Sequence, residues 1–225
     1  MMTFIMLGIS SCDKSDVSNE ENNNQLKKGF IRTDSPQPIR VKINNHILII
    51  PKYYIAQGPK GDEFVSLRTN WPNLTSRFQL TADKSKPNRF DSMEILLHGS
   101  RMVRALRQGG PYKSLLGRST LGKPVYNEKL ELWEYRSKRF LELDSRVSHY
   151  VSHKKEFQTL YEQPLIIDCY GGIRIKNDLG SIQCQVDYLI RDDIALTYRF
   201  YQKHIKDWKL IDSKIRTMLE SYIQE

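Results

Sequence analysis

Three cysteines carry the most legible chemistry in this chain, and they do not all ask for the same thing. Cys12 follows Ile9-Ser10-Ser11 at the end of a short apolar run from Met2 to Gly8. An aliphatic residue and two small ones before a cysteine is the order of the bacterial lipobox, where a signal peptidase cuts and a lipid-modified cysteine becomes the first residue. A secretory signal normally opens with a basic stretch, and no Lys or Arg precedes Cys12. Either the true start lies elsewhere or the signal is a weak one. The competing reading makes residues 1–11 a buried first strand with an ordinary thiol behind it. The residues after Cys12 fit a tether better: Asp13 to Gln25 is almost wholly polar, contains Asn22-Asn23-Asn24, and offers nothing with which to bury a core.

An odd number of cysteines in an exported protein leaves one to explain, and assigning Cys12 to lipid leaves Cys169 and Cys184 as a pair. They sit in neighbouring apolar segments, Leu165 to Cys169 and Ile182 to Val186, with glycines and Asn177-Asp178 between them. Strand pairing would bring them within bridging distance, and an oxidising periplasm would keep the bond. Two buried free thiols are the alternative.

Other candidate chemistry fails on its own terms. Gly117-Arg118-Ser119-Thr120-Leu121-Gly122-Lys123-Pro124 nearly spells a phosphate-binding loop, but Pro124 stands where a Ser or Thr hydroxyl would hold magnesium, and no helical stripe comes after it. His149 and His153 are four apart and would share a helix face, yet no third ligand or metalloprotease Glu accompanies them, so they read as surface histidines and no metal is expected. Asp192-Asp193 reads as a turn rather than an acid/base couple. There is no Gly-x-Ser-x-Gly elbow and no recognisable cysteine-nucleophile surrounding. No catalytic residue, enzyme activity or cofactor is expected.

The remaining candidates are cations. Arg101, Arg104 and Arg107 are spaced three apart, Lys113, Arg118 and Lys123 come after them, and no acid occurs from Ile95 to Asn127. These six residues are nominated as a partner surface, against the plainer reading of a solvated basic loop. Three positive charges around a helix N-terminus oppose the helix dipole, so either the segment is partly loop or something acidic offsets them.

The elements that must position these residues are mostly strands. Arg40 to Ile43 and His46 to Ile50 flank Asn44-Asn45 as a hairpin, closed by Pro51. Further strand-like runs are Glu63–Leu67, Met93–Leu97, Lys129–Tyr135, Arg139–Leu143, Leu165–Cys169, Gly172–Ile175, Ile182–Ile190 and Ile194–Tyr201, with a turn at Arg191-Asp192-Asp193 between the last two. Connections this short favour antiparallel meanders over helical crossovers. From His204 to Ser221, Ile205, Trp208, Ile211, Ile215, Met218, Leu219 and Tyr222 recur at threes and fours, which predicts an amphipathic helix packed on the sheet. A groove-binding helix is the functional alternative. A shorter helix is predicted over Arg101–Gln108, capped by Ser100 and stopped by Gly109-Gly110-Pro111. The fold class is therefore α+β: a strand-rich antiparallel sheet or sheets with a C-terminal amphipathic helix. Residues 1–11 are assigned as signal peptide, 12–28 as lipidated tether and 29–225 as globular domain, with a division into two sub-domains near 125–160 as an alternative.

Composition sets the function classes. Of 225 residues, 39% are hydrophobic and 10% aromatic, which is globular, and no later run approaches the ~18 apolar residues a membrane span needs. Membrane attachment must come through Cys12 alone. The formal net charge is +9; Asp13 to Gln25 holds four acids and one lysine, so residues 26–225 carry +12. Such an excess steers a domain towards an acidic protein, anionic headgroups or nucleic acid, or simply keeps it soluble. Nucleic acid is not expected as a partner, since no binding motif accompanies the charge.

Several stretches taken together resemble a loose group of proteobacterial lipoproteins: Ile49 to Ile55, Gly58-Pro59, Trp71-Pro72, the Cys169 and Cys184 pair, Tyr198-Arg199-Phe200, Trp208 to Asp212, and Ile215-Arg216. Such proteins resemble the immunity partners encoded beside type VI secretion effectors, particularly lipases that attack membrane phospholipids from the periplasm. The resemblance implies a periplasmic protein anchored by lipid to the inner or outer membrane, whose partner is a cognate secreted toxin, a phospholipase, that it neutralises by binding. The competing classes are a structural or assembly lipoprotein of the envelope and an undetected periplasmic hydrolase.

Overall fold

The computed structural model describes residues 37–58, 64–76, 89–118, 121–136, 148–170 and 182–224. Cys12, the tether, and the strand-like runs at 139–143 and 172–175 lie outside the described residues. Within them the chain forms β1 (Pro38–Ile43), β2 (His46–Pro51), β3 (Ile55–Gln57), β4 (Phe64–Asn70), β5 (Ser92–His98), α1 (Ser100–Arg107), α2 (Gly110–Leu116), β6 (Val125–Asn127), β7 (Leu132–Arg136), β8 (Ser148–Ser152), β9 (Leu165–Tyr170), β10 (Gln183–Arg191), β11 (Ile194–Tyr201), α3 (Trp208–Glu220) and β12 (Ile223–Gln224). This is an α+β fold with antiparallel sheets and a C-terminal helix packed on them.

The strands make two sheets, one in the order β1-β2-β12 and one of nine strands in the order β3-β4-β5-β11-β10-β9-β8-β7-β6. Every pairing is antiparallel. The order resolves into two meanders, β3 to β5 and β6 to β11, joined where β11 pairs with β5 through Leu97 opposite Leu196. The β1-β2 hairpin turns at Asn44-Asn45 as expected, with Asn44 in the left-handed region at φ 49°, a conformation asparagine tolerates.

Alternation divides the nine-stranded sheet into two faces. The inner face presents Leu67, Ile95, Leu196, Tyr198, Phe200, Val186, Tyr188, Ile167 and Tyr150 to a single large core. That core is closed by Val41, Ile43, Leu48 and Ile50 from the small sheet and by Trp208, Ile211, Ile215 and Leu219 from α3. The predicted stripe is the buried face of α3, although residues Gln202–Asp207 form a 3-10 turn before it. Cys169 and Cys184 are directly paired on β9 and β10, their Cα atoms 3.9 Å apart, and joined by a disulfide inside this core.

One connection departs from the expected meanders. The chain leaves β5 at the middle of the sheet and reaches β6 at its far edge, and α1 and α2 carry it across the outer face. Val103 and Leu106 of α1 pack on Leu189 of β10 and Ala195 of β11, and Leu115 of α2 packs on Val151 of β8 and Ile166 of β9. The acid-free stretch is this crossover. Gly109-Gly110-Pro111 stops α1 as expected, but Gly110-Pro111 also begins α2, because proline at the first helical turn loses no hydrogen bond there. Gly109 makes the sharp turn between the helices at φ 99°. Ser100 does not cap α1: it is the first helical residue, Gly99 is the cap, and the Ser100 hydroxyl donates to Asn44 Oδ1 at 2.9 Å.

Candidate partner-binding face

All six nominated cations are exposed and lie on or just beyond the crossover. Because α1 runs only from Ser100 to Arg107, Arg104 and Arg107 occupy its last turn, where positive charge suits the dipole. Only Arg101 sits at the unfavourable end, so the electrostatic conflict expected of three charges around the N-terminus largely disappears. Arg107 Nη2 donates to the Asp192 carbonyl at 2.7 Å, tying α1 to the β10–β11 turn. Among the described residues, no carboxylate forms an ion pair with Arg101, Arg104, Lys113, Arg118 or Lys123.

On the same face as the crossover runs a row of polar side chains set by register alone. Arg68, Glu94, Arg199, Gln185, Asp168, His149 and Tyr135 are successive cross-strand partners on β4, β5, β11, β10, β9, β8 and β7. Their acids are bound by their own neighbours. Arg199 reaches Glu94 at 2.9 Å and Gln185 at 2.8 Å, while Gln185 and Thr197 both donate to Asp187, one row away. His149 Nδ1 lies 2.7 Å from Asp168 Oδ1, and Arg118 Nη1 lies 3.0 Å from His149 Nε2.

His149 therefore corrects the sequence expectation. It is a strand residue, 7% exposed, and the helical spacing to His153 has no meaning on β8. His153 packs edge-on to Tyr112 at 6.3 Å. An Asp–His pair is half of a familiar catalytic arrangement, but the nitrogen that would take a nucleophile's proton is occupied by Arg118, which can only donate. Arginine there turns a proton acceptor into a support. Among the described residues no group of His, Cys, Asp and Glu could hold a metal. At the near P-loop, Lys123-Pro124 leads into β6, so no helix N-terminus opens towards a phosphate.

Between the helices and the sheet lies an open cleft, lined by Met102, Leu106, Lys113 and Arg118 above and by Asp168 and Asp187 below. Sequence reasoning found the upper wall and missed the floor. A signal existed: Asp168 interrupts the run Leu165-Ile166-Ile167, and a carboxylate inside an apolar strand needs a partner.

The opposite face contains a more deeply buried carboxylate. Asp212 of α3, 2% exposed, accepts from Tyr188 Oη at 2.8 Å, Tyr198 Oη at 3.0 Å and Arg216 Nε at 2.7 Å. Burial first, and then the nearby Asp212 charge, push both phenols well above the ordinary tyrosine range, so they remain donors. Arg216 also lies over the Tyr188 ring, 4.2 Å from its centroid.

No protein-family model matches the sequence, and no characterised protein matches it by sequence. Among described residues no helix is long and apolar enough to cross a membrane. Two solved structures match it. One is Smlt3025, an immunity protein of the Stenotrophomonas maltophilia type IV secretion system, with TM-score 0.56 and 15% identity over 85% of this chain and 95% of that one. The second is the Neisseria meningitidis iron-regulated outer membrane lipoprotein FrpD, with TM-score 0.47 and 12% identity over 87% and 96% of the two chains. At these identities the likeness to Smlt3025 is one of fold alone.

Proposed function

We propose that this chain is a periplasmic immunity protein, anchored through a lipid on Cys12, that binds and neutralises a secreted antibacterial effector. The observation that carries the reading is the crossover. Among the described residues it holds five cations without carboxylate partners above a sheet face whose own acids are already bound, which gives that surface net positive character and a complementary demand for an acidic protein. The fold it shares with Smlt3025 supports the same class of role. The type VI system and a phospholipase as the target rest on the sequence resemblance alone. A stable block of a toxin's active-site mouth needs roughly 800 Å² per partner, an area the helix pair and the adjacent sheet face could supply together. An acyl anchor would keep the inhibitor concentrated where a membrane-attacking enzyme works.

The test is protection. Cells exporting the product of the adjacent toxin gene to the periplasm should survive when this chain is co-expressed and die without it. Fatty-acid labelling should mark the native protein and not Cys12→Ser. Purified toxin whose activity is untouched by excess of this protein, with no association at low salt, overturns immunity in favour of an envelope-assembly role.

A further inference from the structure

The cations on the crossover are not equivalent. Arg101, Arg104 and Lys113 are solvated side chains on short helices and Lys123 lies in a loop, and holding any of them still on binding costs rotamer entropy. Arg118 is different, because the sheet holds it in advance. Arginine can only donate, so His149 Nε2 must accept from Arg118 Nη1 and the ring proton must lie on Nδ1, where it donates to Asp168. His149 is itself buried on β8 and Asp168 is its direct cross-strand partner on β9, so the support is as rigid as the sheet. Among the described residues no bond engages Nε or Nη2 of Arg118, and that edge is the fork that grips a carboxylate through two parallel hydrogen bonds.

We infer that Arg118 is a pre-set anchor for a single carboxylate on a protruding segment of the partner protein, positioned by Asp168 through His149. The inference rests on the reading of this chain as an effector-binding protein and names the contact that fixes its register. Charge complementarity selects the occupant. The cleft is rimmed by Lys113 and Arg118, but its floor carries Asp168 and Asp187. A flat anionic membrane would bring many charges against those acids, whereas one carboxylate on a loop can reach Arg118 with its neighbours lying over Met102 and Leu106. Pre-organisation removes much of the ordering cost, which is what makes an arginine a dominant contact rather than a rim charge.

The experiment measures binding of the full-length protein, in detergent, to the purified toxin encoded beside it. Arg118→Ala should weaken binding by about 30- to 100-fold, chiefly through faster dissociation, and Arg118→Lys should recover little, since a point charge cannot replace the fork. His149→Ala and Asp168→Asn should each cost roughly tenfold while Arg118 remains present, and neither should cost anything further in the Arg118→Ala background. That non-additivity is the mark of positioning, and general loosening of the fold would not produce it. An Arg118→Ala protein that binds and neutralises the toxin like the native one overturns the inference and leaves immunity intact. Losses that add overturn the positioning role. Wild-type protein that does not bind the toxin overturns the functional reading and this inference with it. A loss confined to vesicles containing phosphatidylglycerol, with toxin binding retained, makes the occupant a lipid phosphate and rejects the protein carboxylate.

Discussion

The two faces of the nine-stranded sheet handle charge in opposite ways. The inner face is largely apolar, and its buried carboxylates are held by their own donors, Asp212 by Arg216, Tyr188 and Tyr198, and Glu134 by Arg136 and Ser148. The outer face has two small apolar patches under α1 and α2, with a cross-strand polar row running beside them, and its uncommitted cations point to solvent. A buried charge left without a partner is severely destabilising, so the inner cluster is tied to folding. Exposed charges contribute little to stability, so the outer ones can be kept for association. The contrast separates what holds the molecule together from what it offers to another.

The sharpest way to break this contrast is Asp212→Ala. It strands two phenols in the core beside a part-buried guanidinium and should cost about 3–5 kcal/mol in urea unfolding, without altering toxin affinity of the fraction that remains folded. Next in size is the disulfide: replacing both Cys169 and Cys184 by alanine should cost about 3 kcal/mol, read as a lower unfolding midpoint, for a bridge that spans 15 residues in sequence. If either change abolished binding by an otherwise folded protein, the division between the faces would be wrong.

On the outer face the expectation reverses. Combining Arg101→Ala, Arg104→Ala, Lys113→Ala and Lys123→Ala should leave stability within about 0.5 kcal/mol per site. In stopped-flow mixing at low salt the same variant should associate with toxin roughly tenfold more slowly, with a flatter dependence on ionic strength. The smallest effect belongs to Glu131, a half-exposed residue paired with Lys154 and Lys209. Hydrogen bonds from Lys154 and then Lys209 hold its carboxyl down at about 2, from an ordinary 4.5. A depressed carboxyl stabilises above its unfolded value and loses that contribution as pH falls through the folded one. Glu131→Gln should therefore be slightly less stable at neutral pH, and the difference should vanish between pH 4.5 and about 2.

The inner face was far more legible in the sequence than the outer one, for a physical reason. Apolar periodicity reports burial, so the β1-β2 hairpin, β9 to β11 and the stripe of α3 could be read directly. Strand β8 could not: all five of its residues, Ser148-His149-Tyr150-Val151-Ser152, are buried, and two find their partners in other strands, Ser148 on Glu134 and His149 on Asp168. Edge strand β6 also lacks a pattern, since Val125 and Tyr126 are exposed. The six cations were visible as an acid-free stretch. Their crossover was not, because Gly110-Pro111 reads as an ending, and the row from Glu94 to His149 exists only through register between strands far apart in sequence.

The seam between the two meanders also governs how the chain can acquire its structure. Strand β5 has no outer neighbour until β11 arrives, and Leu97 meets Leu196 only after the crossover and the whole second meander have been laid down. During that interval an apolar strand with an open hydrogen-bonding edge stands exposed, the condition under which chains pair with one another instead of with themselves. Closing so long a loop before any contact rewards it makes folding slow. The yield of native protein is thus a race between closure of this seam and collision with another copy, and dilution shifts that race towards closure.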